Sequence, residues 1–173
     1  MFVSTPFCIV FVCASTFVGK FQLPAWTEPT QAVSRTNGQF IPGVRTTAYT
    51  HSEADHVQYG ARTAVGTPLK SGSIRSAAAD WSIYPLGTVF QIQGDSSVYV
   101  VDDYGRALVG TGTIDIYQPT TGLMNLWGTR KVNIRVLRWG SSAKSLAVLK
   151  PRAYKAPHVR QMIFRIQNHA RPG

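Results

Sequence analysis

Eight side-chain carboxylates serve a chain of 173 residues: Glu28, Glu53, Asp55, Asp80, Asp95, Asp102, Asp103 and Asp115. Three places set acids in apolar or glycine-rich surroundings. These are Asp80 in Ser76-Ala77-Ala78-Ala79-Asp80-Trp81, the pair in Val101-Asp102-Asp103-Tyr104-Gly105, and Asp115 in Thr113-Ile114-Asp115-Ile116-Tyr117. Carboxylates gathered where water is partly excluded repel one another, so one of them can keep its proton near neutral pH. A carboxyl held protonated can donate to a leaving glycosidic oxygen, which is general acid chemistry and requires no metal or cofactor. The same acids would equally suit turn capping and pairing with the abundant Lys and Arg. On the residues alone both readings stand.

The elements that must position these acids are short. Ile114 and Ile116 share one face of an alternating run, so Asp115 points to the other, toward a cleft, solvent or a polar pocket. Strands are predicted over Val44–Thr50, Ile74–Ala79, Gly87–Ile92, Val98–Val101, Ile114–Tyr117 and Val132–Leu137. One helix is expected at Pro119–Trp127, with proline early and Gly128 just past its end. Short strands at close spacing with one small helix argue for a compact β-barrel over residues 44–140. The segment 20–43, broken by Pro24, Pro29, Pro42 and Gly43, reads as a linker.

Apolar residues make up 44% of the chain and charged residues 15%, which excludes wholesale disorder. No apolar stretch reaches the roughly 18–20 residues of a spanning helix, which excludes a polytopic membrane protein. Residues 1–19 carry no charge and have an apolar centre, Phe7–Ala14, as in a secretory signal peptide. The expectation is export, to a bacterial periplasm or cell envelope. Both cysteines, Cys8 and Cys13, fall inside that segment, so the mature chain would hold no disulfide and no cysteine nucleophile.

The formal charge is +10, and it is uneven: after Asp115 there is no acidic side chain in 58 residues, while 11 of the 18 Lys and Arg lie there. Such a balance points to anionic partners. Residues 141–173 are expected to form a solvated basic extension. The alternative is a short basic amphipathic helix at His158–Asn168, where Val159, Met162, Ile163 and Ile166 recur at helical spacing. An anionic wall polymer or a membrane surface is the expected partner of this tail. Nucleic acid is not expected, because no interleaved aromatic and basic motif is present. The segment His51-Ser52-Glu53-Ala54-Asp55-His56 has metal-ligating residue types, but its spacing suits neither a helix face nor a short metal motif. It reads as a polar loop beside the substrate, and no metal is expected.

Taken in order, several blocks of the chain resemble one family. They are Thr47-Ala48-Tyr49; Thr63-Ala64-Val65-Gly66-Thr67-Pro68-Leu69; Ala79-Asp80 followed by Tyr84-Pro85-Leu86-Gly87-Thr88; Val100 to Gly110; Ile114-Asp115-Ile116-Tyr117; and Trp127-Gly128 with Val132–Leu137. With these, Val44–Leu137 resembles the three-aspartate (3D) domain of bacterial cell-wall proteins. That family includes the catalytic barrel of membrane-bound lytic transglycosylase A and stationary-phase survival proteins. The resemblance implies a mostly-β fold, a six-stranded double-psi β-barrel with one or two short helices. It implies cleavage of the β-1,4 bond between N-acetylmuramic acid and N-acetylglucosamine in peptidoglycan, without a cofactor. The alternative within the family is a wall-binding module that cuts nothing. The three family aspartates fall on Asp80, Asp103 and Asp115, with Asp115 as general acid and then base. Asp103 and Asp80 would hold Asp115 in place, raise its pKa or bind sugar hydroxyls. Thr47, Tyr49, Tyr104 and Gly105 would line the substrate groove, Tyr49 as a stacking surface for a sugar ring. Two departures stand out: an interval from Asp103 to Asp115 that is one residue longer, around Gly110-Thr111-Gly112, and Arg106 where the family usually has glycine. An arginine beside Asp103 or Asp115 would lower a carboxyl pKa and oppose an acid role.

Overall fold

The computed structural model describes residues 36–53 and 60–169. The expected signal peptide at 1–19, most of the linker, and Asp55 and His56 lie outside the described residues. Six strands form a closed barrel: β1 (Phe40–Tyr49), β2 (Ile74–Ala79), β3 (Val89–Ile92), β4 (Val98–Asp103), β5 (Ile114–Tyr117) and β6 (Arg130–Arg138). Around the barrel the order is β1-β5-β2-β4-β3-β6. The β1–β5 and β2–β4 pairs are parallel and the other four contacts antiparallel.

Side-chain alternation builds the two faces of the wall. Val44 on β1, Ala77 and Ala79 on β2, Val101 on β4, Ile114 and Ile116 on β5, and Ile134 and Val136 on β6 point into one core. The alanines of β2 are small where Phe90 and Tyr99 are large, and those two rings stack at 5.2 Å. The opposite face carries a separate, smaller cluster of Tyr49, Ala78, Leu108 and Tyr117.

Helix α1 (Thr121–Trp127) begins two residues later than the proline suggests. The Thr120 side chain accepts from the Leu123 N–H and takes the capping position. Its end is as expected: Gly128 has φ +58°, and its N–H closes on the Met124 carbonyl.

The tail differs from the solvated extension expected of it. It forms α2 (Ser142–Leu149) and α3 (Pro157–His169), joined by a 3₁₀ turn at Lys150–Arg152. Leu149, Val159, Met162 and Ile166 are buried in the same core as the barrel strands. The helical spacing was therefore a packing stripe, and the barrel has three short α-helices rather than one or two. Gly140 fixes the entry to α2, because a Cβ there would collide with the Pro85 and Leu86 carbonyls. The Ser145 hydroxyl accepts from the Leu86 N–H at 3.0 Å and ties α2 to the same turn.

Candidate active site

Strand register brings the acids of β4 and β5 onto one face. Thr47 of β1 lies beside Asp115 of β5, Asp115 beside Ala78 of β2, and Ala78 beside Asp103 of β4. A row therefore crosses four neighbouring strands: Thr47, Asp115, Ala78, Asp103. Strands are about 4.8 Å apart, which puts the two aspartate backbones about 10 Å from each other. Ala78 lies between them, buried and packed in one cluster with Tyr49, Leu108 and Tyr117.

Strict alternation along β4 would put Asp102 and Asp103 on opposite faces. The β2–β4 register instead shifts between Ala77 and Ala78, so that Ala77 pairs with Val101 and Ala78 with Asp103. Asp102 is the extra residue of this bulge. Its Oδ2 accepts from Lys70 Nζ at 2.8 Å and the Ser76 hydroxyl at 3.0 Å, and burial pushes its carboxyl pKa up. Asp103 is held from two sides. Its Oδ1 accepts from the N–H groups of Ala64 and Tyr104, at 3.0 and 2.9 Å, and its Oδ2 from the Tyr49 hydroxyl at 3.1 Å.

Asp115 and Thr47 are the half-buried members of the row. Thr47 Oγ1 donates to Asp115 Oδ1 at 2.7 Å. Burial raises its carboxyl from the ordinary 3.8 to about 6; the Thr47 hydrogen bond and Arg45 pull it back, while the charges of Glu53 and Asp103 push it further up. Arg45 itself is turned toward Thr113, whose hydroxyl accepts from it at 3.2 Å.

Tyr49 stands among the acids. Burial, with Asp103, Asp102 and Asp115 around it, raises its phenol well above the usual value. It stays protonated and donates. With 7% of its surface exposed, it cannot offer a ring face to a sugar, which corrects the stacking role expected of it. It orients Asp103 instead. Tyr117 packs against it at 5.6 Å and bonds His51 Nδ1 through its hydroxyl at 2.8 Å. Glu53 Oε2 accepts from the Thr50 N–H at 3.0 Å and closes the turn after β1. The described part of the His51–His56 loop thus lies beside Asp115. Among the described residues no three His, Cys, Asp or Glu side chains are grouped to hold a metal ion.

Asp80 is elsewhere. It is fully buried. Its Oδ1 accepts from the N–H and hydroxyl of Ser82 at 2.8 and 2.7 Å, and its Oδ2 from the Gly110 N–H at 2.7 Å. Arg165 Nη1 of α3 lies 3.7 Å from the same Oδ2. Gly110, at φ +83°, lets the guanidinium pass: a Cβ there would sit 2.8 Å from Arg165 Nη2. The glycine-flanked loop that lengthens the Asp103–Asp115 interval is the loop Asp80 holds. Through Gly110, Asp80 positions the chain before β5.

Tyr104 and Gly105 follow Asp103 directly out of β4. The Tyr104 ring meets Trp81 edge-on at 4.9 Å and faces His158 of α3 at 6.1 Å, while Gly105 opens the 3₁₀ turn Arg106–Leu108. Leu108 from that turn joins Tyr49, Ala78 and Tyr117 as the apolar wall of the site. Arg106 lowers the pKa of His158, behind burial as the main cause. The arginine that opposes the raised pKa of Asp115 is Arg45, and burial outweighs it. Glu53 and Leu108 are the site residues that sequence reasoning did not assign. Glu53 lay in the loop read as polar and substrate-side, whereas nothing in the sequence marks Leu108.

The fold and site define a class: a mostly-β closed six-stranded barrel with a carboxylate row on the outside of its wall. Residues 75–138 match the family model of the 3D domain. The matched segment is thus similar to a 3D domain, and Asp80, Asp103 and Asp115 all fall inside it. The match spans β2 to β6; β1, α2 and α3 lie beyond it. No curated protein matches the chain.

Proposed function

We propose that this protein is an exported peptidoglycan lytic transglycosylase with Asp115 as its general acid and base. A cell-wall role fits the similarity of residues 75–138 to a 3D domain. The observation that carries the catalytic reading is the state of Asp115: half-buried, raised to about 6, and fixed by Thr47 in one row with a second, anchored aspartate. The family's double-psi topology is part of this reading, and the two parallel strand pairs, β1–β5 and β2–β4, suit it.

The steps follow from those residues. A glycan strand lies along the exposed side of Asp115, with its scissile oxygen at that carboxyl. The protonated carboxyl donates to the leaving N-acetylglucosamine oxygen as the glycosidic bond breaks. The resulting carboxylate takes the proton of the muramic acid 6-hydroxyl, whose oxygen closes on C1. The product is a 1,6-anhydro sugar, and Asp115 regains the proton it gave. The nucleophile belongs to the substrate, so no second nucleophilic carboxylate is needed. Asp103 raises the Asp115 pKa and stabilises positive charge developing at the anomeric carbon.

Digestion of purified peptidoglycan, with mass spectrometry of the soluble products, tests this. Anhydro-muropeptides from the parent and none from Asp115→Asn are expected. A folded parent that pulls down with insoluble wall and releases nothing would replace the enzyme with a wall-binding module.

A further inference from the structure

The basic tail presents a second surface, remote from the carboxylate row in role and composition. Packing has taken the apolar stripe of α3, since Val159, Met162 and Ile166 are buried in the core. What remains outside is unusual for a solvated helix. Phe164 is 65% exposed and Tyr154, in the turn before α3, is 80% exposed. Arg160 ties together the two segments that carry them. Arg160, one turn before Phe164, donates from Nη1 to the Ala153 carbonyl at 3.0 Å and so binds α3 to the Tyr154 turn. The Lys155 ammonium lies 5.7 Å from the Tyr154 ring centroid. Lys150 is exposed at the head of the same turn.

We propose that Lys150, Tyr154, Lys155, Arg160 and Phe164 form a docking surface for an anionic lipid bilayer. Cations alone would suit any polyanion. Aromatic rings flanked by cations suit the bilayer interface, where the ring enters the headgroup boundary and Lys and Arg meet lipid phosphates. A second copy of the chain is a poor occupant, because no acid follows Asp115 to neutralise this face and like charges would meet. A soluble wall polymer has no apolar phase to receive Phe164. The surface holds whether or not glycan is cut.

The test is co-sedimentation of the full chain with sucrose-loaded vesicles, either pure phosphatidylcholine or with one third phosphatidylglycerol. Two double variants are run beside it: Lys150→Gln with Lys155→Gln, and Tyr154→Ser with Phe164→Ser. All four positions are exposed, and circular dichroism checks that the fold is kept. Both variants keep residues 1–43, so any contribution from the N-terminus cancels. The parent should bind the anionic vesicles and leave the neutral ones. The charge variant should bind more than tenfold more weakly, at about fivefold per cation removed. The aromatic variant should lose about tenfold on vesicles while still binding polyphosphate beads like the parent. Equal binding to both vesicle types, or undiminished vesicle binding by the aromatic variant, would overturn the proposal. Binding to polyphosphate without binding to anionic vesicles would assign the surface to a polymer instead.

Discussion

Asp115 and Asp80 lie in the same matched segment and live in opposite surroundings. Asp80 is closed off on every side, with three hydrogen bonds and a guanidinium around its two oxygens. Among the described residues Asp115 accepts from Thr47, and it has partial exposure and the charges of Glu53 and Asp103 nearby. The partners of Asp80 tie it to the Ser82 turn, the Gly110 loop and α3 at once. Asp115, half-buried and with its carboxyl raised to about 6, is poised to exchange a proton. The comparison teaches that a motif can share out its work, with one aspartate holding a loop for another to use.

The widest break between the two should come from Asp115→Asn. Glycan cleavage should fall by about a thousandfold or more, while thermal unfolding stays within a few degrees of the parent. Asp80→Ala should do the reverse in kind, costing about 3 kcal/mol of stability in urea unfolding, because three donors and Arg165 lose their acceptor. Gly110→Ala is a milder version. The positive φ and the Arg165 contact together should cost about 1–2 kcal/mol, read from the same urea curves.

The pH dependence sharpens the contrast. The Asp115 carboxyl is raised in the folded chain, so the folded state binds its proton more tightly than the unfolded state does. The stability this contributes is present below the ordinary 3.8 and is lost as pH rises through about 6. The loss should be about 1–2 kcal/mol after discounting for partial exposure, and Asp115→Asn should remove it. Cleavage should decline over the same upper range, as the acid form disappears. The smallest effects should be shifts of that descending limb by a few tenths of a pH unit. Glu53→Gln removes a charge that raises the Asp115 pKa and should move the limb down. Thr47→Val removes the hydrogen bond that lowers it and should move the limb up. Shifts in the same direction would break the electrostatic account.

Much of the barrel was legible because its strands alternate or run apolar over short spans. All six appear where β-formers and glycine punctuation put them, β2 and β5 with the same ends. The Asp115 face followed from Ile114 and Ile116 alone. Asp103 beside Asp102 was not legible as a pair on one face, since period-two reasoning separates neighbours and only the bulge reunites them. The stripe of Val159, Met162 and Ile166 was visible. Its partner was not, because a helical period says that a face is buried and not against what. Tyr49 misled for a related reason: residue type suggested a platform, while register with Tyr117 and the reach of its hydroxyl to Asp103 decided its burial.

Arg165 reaches Asp80 across Gly110 from 27 residues beyond the end of the family match at 138. A fragment cut at that boundary would keep all three aspartates and yet strip Asp80 of its counter-charge and the core of Leu149, Val159, Met162 and Ile166. The unit that folds is larger than the unit that is shared. Grafting the matched segment alone onto another protein would transplant a signature without its keystone.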